Sequence, residues 1–219
     1  MRGRWTALLT FLCLAAFVWL EAHTADGAQP KKSSKPTNEK TAGLHVRGEV
    51  RAPVTLEEFG DFECGPCAEL FGMIREVESE AGATARLVFR HFPLNIHPHA
   101  IAAASAAEAA GFQGRFWEMH DLLYQEQNVW SQSNDPQAIF ADYAKRLGLD
   151  LGRFGKDCKS RRAKARIASD QAEARKRGVA GTPTLFINGW KVPRYSYSIG
   201  GLLSRIRMLS SDSGTAVVR

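Results

Sequence analysis

Cysteine is scarce in this chain: four residues among 219, only two of them close together. A disulfide-dense scaffold is thereby excluded. So is a zinc site built from two C-x-x-C pairs, because no second pair exists. Long apolar runs are missing as well. The longest, Thr6–Leu20, is shorter than the roughly 17–25 residues that a membrane-spanning helix needs. Aromatic side chains do not interleave with the basic stretches, so a net charge of +6 makes no single-strand nucleic-acid surface. The basic residues gather in Pro30–Lys40 and from Lys156 to Arg177. They read as a solvated helix face, with attraction to an anionic membrane surface as the alternative. No internal repeat is visible.

What is present begins with an export signature. Arg2 and Arg4 precede the apolar run, and Ala22, Ala25 and Ala28 offer cleavage points after it. Residues 1–22 therefore read as a signal peptide or an N-terminal anchor, with cleavage favoured. Residues 23–43 lack any large apolar side chain and read as a disordered Lys/Ser/Pro linker. Residues 44–219 form the folded part, and 44% hydrophobic with 24% charged residues suits a globular domain. Either reading of the N-terminus puts that domain in a periplasmic or other extracytoplasmic compartment, where a dithiol meets protein disulfides.

The paired cysteines are Cys64-Gly65-Pro66-Cys67. Val54–Phe62 before them has strand character, and Leu70, Phe71, Ile74 and Val77 after them fall at helical spacing, with Gly82 as the stop. The pair thus sits where a strand feeds a helix N-terminus. Free N–H groups and the helix dipole favour a thiolate there, and the second thiol can close a ring. Pro66 is tolerated because the first turn has no donor to lose. Half of a zinc site is the competing reading; His91, His97 or His99 would have to supply the missing ligands.

Thr84–His91 suits a second, parallel strand, giving a β-α-β unit. Helices follow at about Pro98–Ala110, Arg115–Gln125, from a cap at Asp135 with Pro136 to Gly148, after Asp150, and over Ser160–Arg177. Strand character returns at Thr184–Ile187. Asn188-Gly189 is a hairpin signal before Lys191-Val192, and a last helix covers about Ile199–Leu209. Phe116, Trp117 and Met119 lie at core spacing, and His97 and His99 flank a helix start as capping or exposed residues. Cys158 reads as a half-buried, unpaired thiol, ahead of an intermolecular disulfide or a regulatory role.

Four segments in this order resemble the DsbA-like branch of the thioredoxin superfamily: Glu58–Cys67, Arg90–Leu94, Phe116–Asp121 and Gly181–Gly189. The resemblance covers about Arg51–Leu209. It implies an α/β thioredoxin fold with an inserted α-helical domain, the insertion running over about 96–178, in keeping with the β-α-β, helices, β-β-α order. It makes Cys64 the residue that attacks or is attacked and Cys67 the resolver. Pro183 matches the cis-proline that presents backbone to an extended substrate, and Thr182 the neighbour that influences release and potential. Glu58 matches a buried acid beneath the dithiol, able to take a proton from Cys67; strand parity puts Glu58, Gly60 and Phe62 on one face. A solvent-facing glutamate is the alternative.

One departure bears on direction. Strongly oxidising DsbA enzymes carry Pro-His between the cysteines, whereas Gly65-Pro66 is the redox-tuning dipeptide of reducing thioredoxins. The reading is an exported thiol–disulfide oxidoreductase working on protein substrates, by disulfide formation or interchange, with a reductase or isomerase direction as the alternative. Electrons rest in the dithiol, so no metal or organic cofactor is implied. The implied partners are exported proteins with thiols or disulfides and a membrane redox partner, either a quinone-linked oxidase or a thiol reductase; nucleic acid is not among them. A peptide-binding chaperone and a metal-binding module that uses Cys64, Cys67 and a histidine are the non-enzymatic rivals.

Overall fold

Strands β1 (His45–Gly48), β2 (Val54–Gly60), β3 (Ala85–His91), β4 (Thr184–Ile187) and β5 (Trp190–Lys191) form one sheet in the order β1-β3-β2-β4-β5. The structure, a computed structural model, describes residues 43–215. The export segment and all but the last residue of the linker lie outside the described residues. β2 and β3 run parallel, joined by helix α1 (Gly65–Ala81). β1 pairs antiparallel with β3, β4 with β2, and β5 with β4. Between β3 and β4 stand α2 (Ala100–Gly111), α3 (Phe116–Gln125), α4 (Gln127–Trp130), α5 (Pro136–Arg146), α6 (Leu151–Cys158) and α7 (Arg161–Lys176); α8 (Ile199–Thr215) follows β5. This is a thioredoxin fold carrying a helical insertion.

Period-two alternation sets the two faces of the sheet. Val54 and Leu56 of β2, Leu87 of β3, and Leu185 and Ile187 of β4 pack under Leu70, Ile74 and Val77 of α1 and Leu202, Leu203 and Ile206 of α8. Each such side chain contributes about 1.5–3 kcal/mol on burial. On the other face Phe59 and Phe186 meet Ala174 of α7 and Val179. Glu57 shares that face and is paired with Arg90 and Arg177, and the Arg177 guanidinium lies 3.8 Å from the Phe186 ring centroid. The basic stretch over α7 is thus a solvated face except at Arg166 and Arg177, whose stems turn inward.

In the insertion, α2 is surrounded by α3, α5, α6 and α7. Ala103, Ala106, Ala107, Ala109 and Ala110 are each at most 1% exposed. Methyl-sized side chains let the neighbouring helices approach from all sides, which is why this helix carries no polar stripe. Asp135, Asp150 and Ser160 accept N–H bonds from Ala138, Arg153 and Ala163 as N-caps, each worth about 1 kcal/mol. Glu108 of α2 ties the insertion to the sheet. Its Oε1 lies 2.5 Å from His45 Nε2 and 2.9 Å from His91 Nε2. Burial alone would raise its pKa, but the bonds to both imidazoles overcome that and bring it to about 2.

Two strands depart from the sequence reading, and the short α4 is absent from it. β1 is absent from that reading, because His45-Val46-Arg47-Gly48 has no apolar alternation; it is defined by pairing with β3 and by what Arg47 holds. The Arg47 guanidinium bonds Glu78 of α1 at 2.8 and 2.9 Å and Asp121 of α3 at 2.7 and 3.0 Å, and sits 4.5 Å from the Trp117 ring centroid. β5 is Trp190–Lys191 rather than Lys191-Val192. Asn188 and Gly189 both take positive φ (46° and 84°), so a two-residue loop pairs Ile187 directly with Trp190.

Candidate active site

β2 stops at Gly60 and α1 starts at Gly65, so the loop between them delivers the dithiol. Cys64 is the N-cap of α1, with extended backbone, and its carbonyl accepts from the N–H groups of Cys67 and Ala68 at 3.0 and 3.2 Å. Asp61 organises the loop. Its Oδ1 accepts from Glu63 N–H at 2.9 Å, and its Oδ2 accepts from Leu94 N–H at 2.9 Å and lies 2.7 Å from His97 Nδ1. The insertion contributes a second clamp: Gln127 Nε2 donates to the carbonyls of Phe62 at 2.6 Å and Cys64 at 3.0 Å. These two clamps hold the loop before any substrate arrives.

The thiols are unequal. Cys64 keeps 5% of its surface and Cys67 none. A helix start would leave Cys64 open to solvent; it is buried instead, between the exposed Gly65 and Pro66 and the buried Thr182 and Pro183. The Cys64 pKa falls to about 6, first through the hydrogen bond from the Cys67 thiol, against the cost of burial, with Thr182 and the Cys67 N–H adding to the effect. The helix terminus thus assists a stabilisation led by the partner thiol. The Cys67 pKa is driven well above the ordinary thiol value, by burial first and then by its bond to Cys64 and the charge of Glu58.

Thr182 and Pro183 stand opposite the dithiol. The Phe59↔Thr184 register fixes them just past the end of β2, and the Thr182–Pro183 bond is cis. Thr182 O accepts from Cys64 Sγ at 3.7 Å and from Arg194 Nη1 at 3.1 Å.

Glu58 is 1% exposed, on the β2 face that α1 covers, so the solvent-facing alternative does not hold. Burial raises its pKa to about 8, and the charge of Cys64 adds to this, while Arg47 acts in the opposite sense. Gly60 is required by packing: a β-carbon there would lie 2.6 Å from Phe89 Cε2, 2.8 Å from the Tyr124 hydroxyl and 2.9 Å from Glu58 Oε1. The histidines that a dithiol zinc site would recruit are engaged elsewhere. His91 bonds Glu108, His97 bonds Asp61, and His99 gives its backbone N–H to Glu63 Oε2 at 2.6 Å. The metal-type cluster among the described residues, His45, His91 and Glu108, contains neither thiol. Cys158 is an unpaired, half-buried thiol whose pKa burial pushes up to about 11. Phe116 and Met119 are core residues and Trp117 packs partly buried against them.

The residues that the sequence reading missed are Asp61, Tyr124 and Gln127. Asp61 stands inside the quoted motif without a distinguishing pattern. Tyr124 and Gln127 follow the Phe116–Asp121 segment, and only the fold brings them to the dithiol.

A thioredoxin fold with a helical insertion, a cis-proline and a dithiol at a helix start defines a class of protein. The family described as Thioredoxin matches residues 40–199. The chain belongs to that family, as a DsbA-like member of the thioredoxin superfamily. Among solved structures it is similar to a thioredoxin-like oxidoreductase from Silicibacter pomeroyi DSS-3, with 26% identity and a TM-score of 0.64 over 80% of this chain and 94% of that one. It is also similar to DsbA2 of Pseudomonas aeruginosa, with 27% identity and a TM-score of 0.59 over 80% of this chain and 97% of the other. Among curated proteins it is 45% identical over 172 residues to the Na(+)/H(+) antiporter NhaA 1 of Salinispora arenicola, which covers 78% of this chain and 25% of the antiporter. The chain spans about a quarter of the length of the curated relatives it matches. No helix among the described residues is long and apolar enough to cross a membrane.

Proposed function

We propose that this chain is an exported thiol–disulfide oxidoreductase that exchanges disulfides with protein substrates. The observation that carries the reading is the division of labour within one dithiol: Cys64 with its pKa near 6, Cys67 held as the neutral thiol, and a buried carboxyl beneath them. At neutral pH the Cys64 thiolate attacks a substrate disulfide and forms a mixed disulfide. The ionised form of Glu58 becomes more accessible once the Cys64 charge is lost in the mixed disulfide. Cys67 then attacks the Cys64 sulfur, its proton passes to Glu58 in that ionised form, the substrate sulfur leaves as thiolate, and the Cys64–Cys67 disulfide closes. In the reverse direction a substrate thiolate opens that disulfide and Glu58 returns the proton to Cys67. Thr182 and Pro183 dock the substrate backbone alongside Cys64, and Gly65-Pro66 forms the uncovered rim.

Export follows from the Arg2, Arg4 and Thr6–Leu20 signature, with an uncleaved tether as the other form of the same placement. A membrane redox partner, a quinone-linked oxidase or a thiol reductase, resets the dithiol. The antiporter relatives support the shared fold rather than ion transport, because the shared stretch is a small part of each of them. Turnover of a disulfide reporter peptide tests the proposal. Wild type turns it over, Cys64→Ser does not, and equal rates for the two would end the enzymatic reading in favour of a peptide-binding one.

A further inference from the structure

Two buried oxygens beneath the dithiol have no hydrogen-bond partner among the described residues: Glu58 Oε1 and the Tyr124 hydroxyl. They come from different parts of the fold, Glu58 from β2 and Tyr124 from α3 of the insertion. Both lie within 3 Å of one point above Gly60, the place a β-carbon would occupy, at 2.9 and 2.8 Å. They are therefore within two such radii of each other, close enough to be joined by a small torsional change or a single bridging water. A buried hydroxyl left unpaired loses its hydration without compensation, while Phe62, Phe71, Phe89 and His120 pack around the Tyr124 ring.

We propose that Tyr124 is a positioning residue for the dithiol chemistry: its hydroxyl donates to the Glu58 carboxylate and holds it ready to take the Cys67 proton. The inference rests on the Glu58 role proposed above. The insertion, on this account, completes the proton-handling site as well as framing the substrate surface. When Cys67 attacks, its proton moves to Glu58, the Cys64–substrate sulfur bond breaks and the Cys64–Cys67 bond forms. Tyr124 keeps its own proton throughout, in line with a phenol whose ionisation burial and the neighbouring Cys67 and Glu58 charges suppress. A hydrogen bond to the ionised form favours that form, so the hydroxyl lowers the pH at which Glu58 becomes competent.

Other groups act on the same carboxyl. Cys64, Cys67 and Glu78 face it from α1, and Arg47 from β1. Tyr197, ahead of α8, feels both Glu58 and Cys67, and Asp61 acts on Cys64 and Tyr124 from the loop. His120, beside Tyr124 on α3, is held neutral by burial, which lowers its pKa to about 4.

The test is single-turnover reduction of an aromatic disulfide by the reduced, full-length protein. One thiolate chromophore is released when Cys64 attacks and a second when Cys67 resolves. The second rate rises with pH through the Glu58 midpoint in wild type. Tyr124→Phe should move that midpoint up by about one pH unit, which is roughly a tenfold slower second phase below it. The first phase should stay unchanged. Glu58→Gln should abolish the midpoint, and Glu58→Gln/Tyr124→Phe should match Glu58→Gln alone. A Tyr124→Phe midpoint that is unmoved or lowered, with Glu58→Gln still effective, overturns the role of Tyr124 and leaves that of Glu58 intact. A Glu58→Gln profile that keeps the wild-type midpoint overturns both. A double variant slower than Glu58→Gln would overturn action through Glu58. Tyr124→Phe keeps the ring in its aromatic cluster and removes only one oxygen, so folding is not at stake.

Discussion

Cys67 sits one helical turn behind Cys64, and its thiol is the largest single stabiliser of the Cys64 thiolate. The two cysteines are therefore a coupled acid–base pair before they are a redox pair. The N–H groups of α1 contribute after that bond, which reverses the order that a helix-dipole argument gives.

It follows that Cys67→Ala should raise the Cys64 pKa from about 6 towards the ordinary thiol value, by about one unit or more. Alkylation rate against pH, read on the reduced protein, measures this. An unmoved midpoint would return the dominant role to the helix terminus.

Glu58 carries a pH signature of its own. Its pKa is near 8 in the folded protein, against an ordinary value of 4.5. Between those values the folded state binds a proton that the unfolded state has lost, so stability falls as pH rises from about 4.5 to about 8. The full shift corresponds to at most about 4–5 kcal/mol. Glu58→Gln should flatten that slope in urea titrations of the oxidised protein, where neither thiol titrates. In that form burial, the largest cause, still raises the carboxyl, while the Cys64 contribution is lost. Glu58→Leu should slow exchange by on the order of tenfold without unfolding the domain, because an apolar side chain suits the site. A slope that survives Glu58→Gln would show that the carboxyl titrates normally.

The dipeptide sets an expectation for direction. Gly65 and Pro66 are exposed and bring no ionisable group to Cys64. A Cys64 pKa near 6 lies between the ~3.5 and ~7 of strongly oxidising DsbA and of thioredoxin, whose potentials are about −120 and −270 mV. The potential here should fall at roughly −150 to −250 mV. Equilibration against glutathione buffers, read by alkylation, gives the value. A result at or above about −120 mV would show that this dipeptide does not moderate the thiol and that the protein is a strong oxidase.

Much of the fold is legible in the sequence, because its signals are local. Asn188-Gly189 signals a two-residue turn, Asp135 and Asp150 mark helix starts, and the strand character on either side of α1 gives the β-α-β unit. Strand parity places Glu58 with Gly60 and Phe62, and the burial of Val54 and Leu56 under α1 decides that this face points inward. What stays hidden is what depends on long-range placement. β1 has no pattern of its own and exists through Arg47, Glu78 and Asp121. Gln127 clamps Phe62 and Cys64 across 65 and 63 positions of sequence. Gly60 reads as a strand glycine, and only the arrival of Tyr124 and Phe89 shows why no larger residue fits. The burial of Cys64 belongs with these, since its cover is the distant Thr182–Pro183 segment.

In the exchange proposed for this dithiol, Cys64 attacks and Cys67 resolves. Trapping of mixed disulfides tests it most directly. Cys67→Ser and Cys64→Ser proteins are exposed to disulfide-containing exported proteins, quenched with acid, alkylated and resolved without reductant. Cys67→Ser should accumulate covalent complexes that collapse on reduction, and Cys64→Ser should give none. Complexes formed by Cys64→Ser instead would reverse the roles, and complexes with neither variant would contradict exchange through this dithiol.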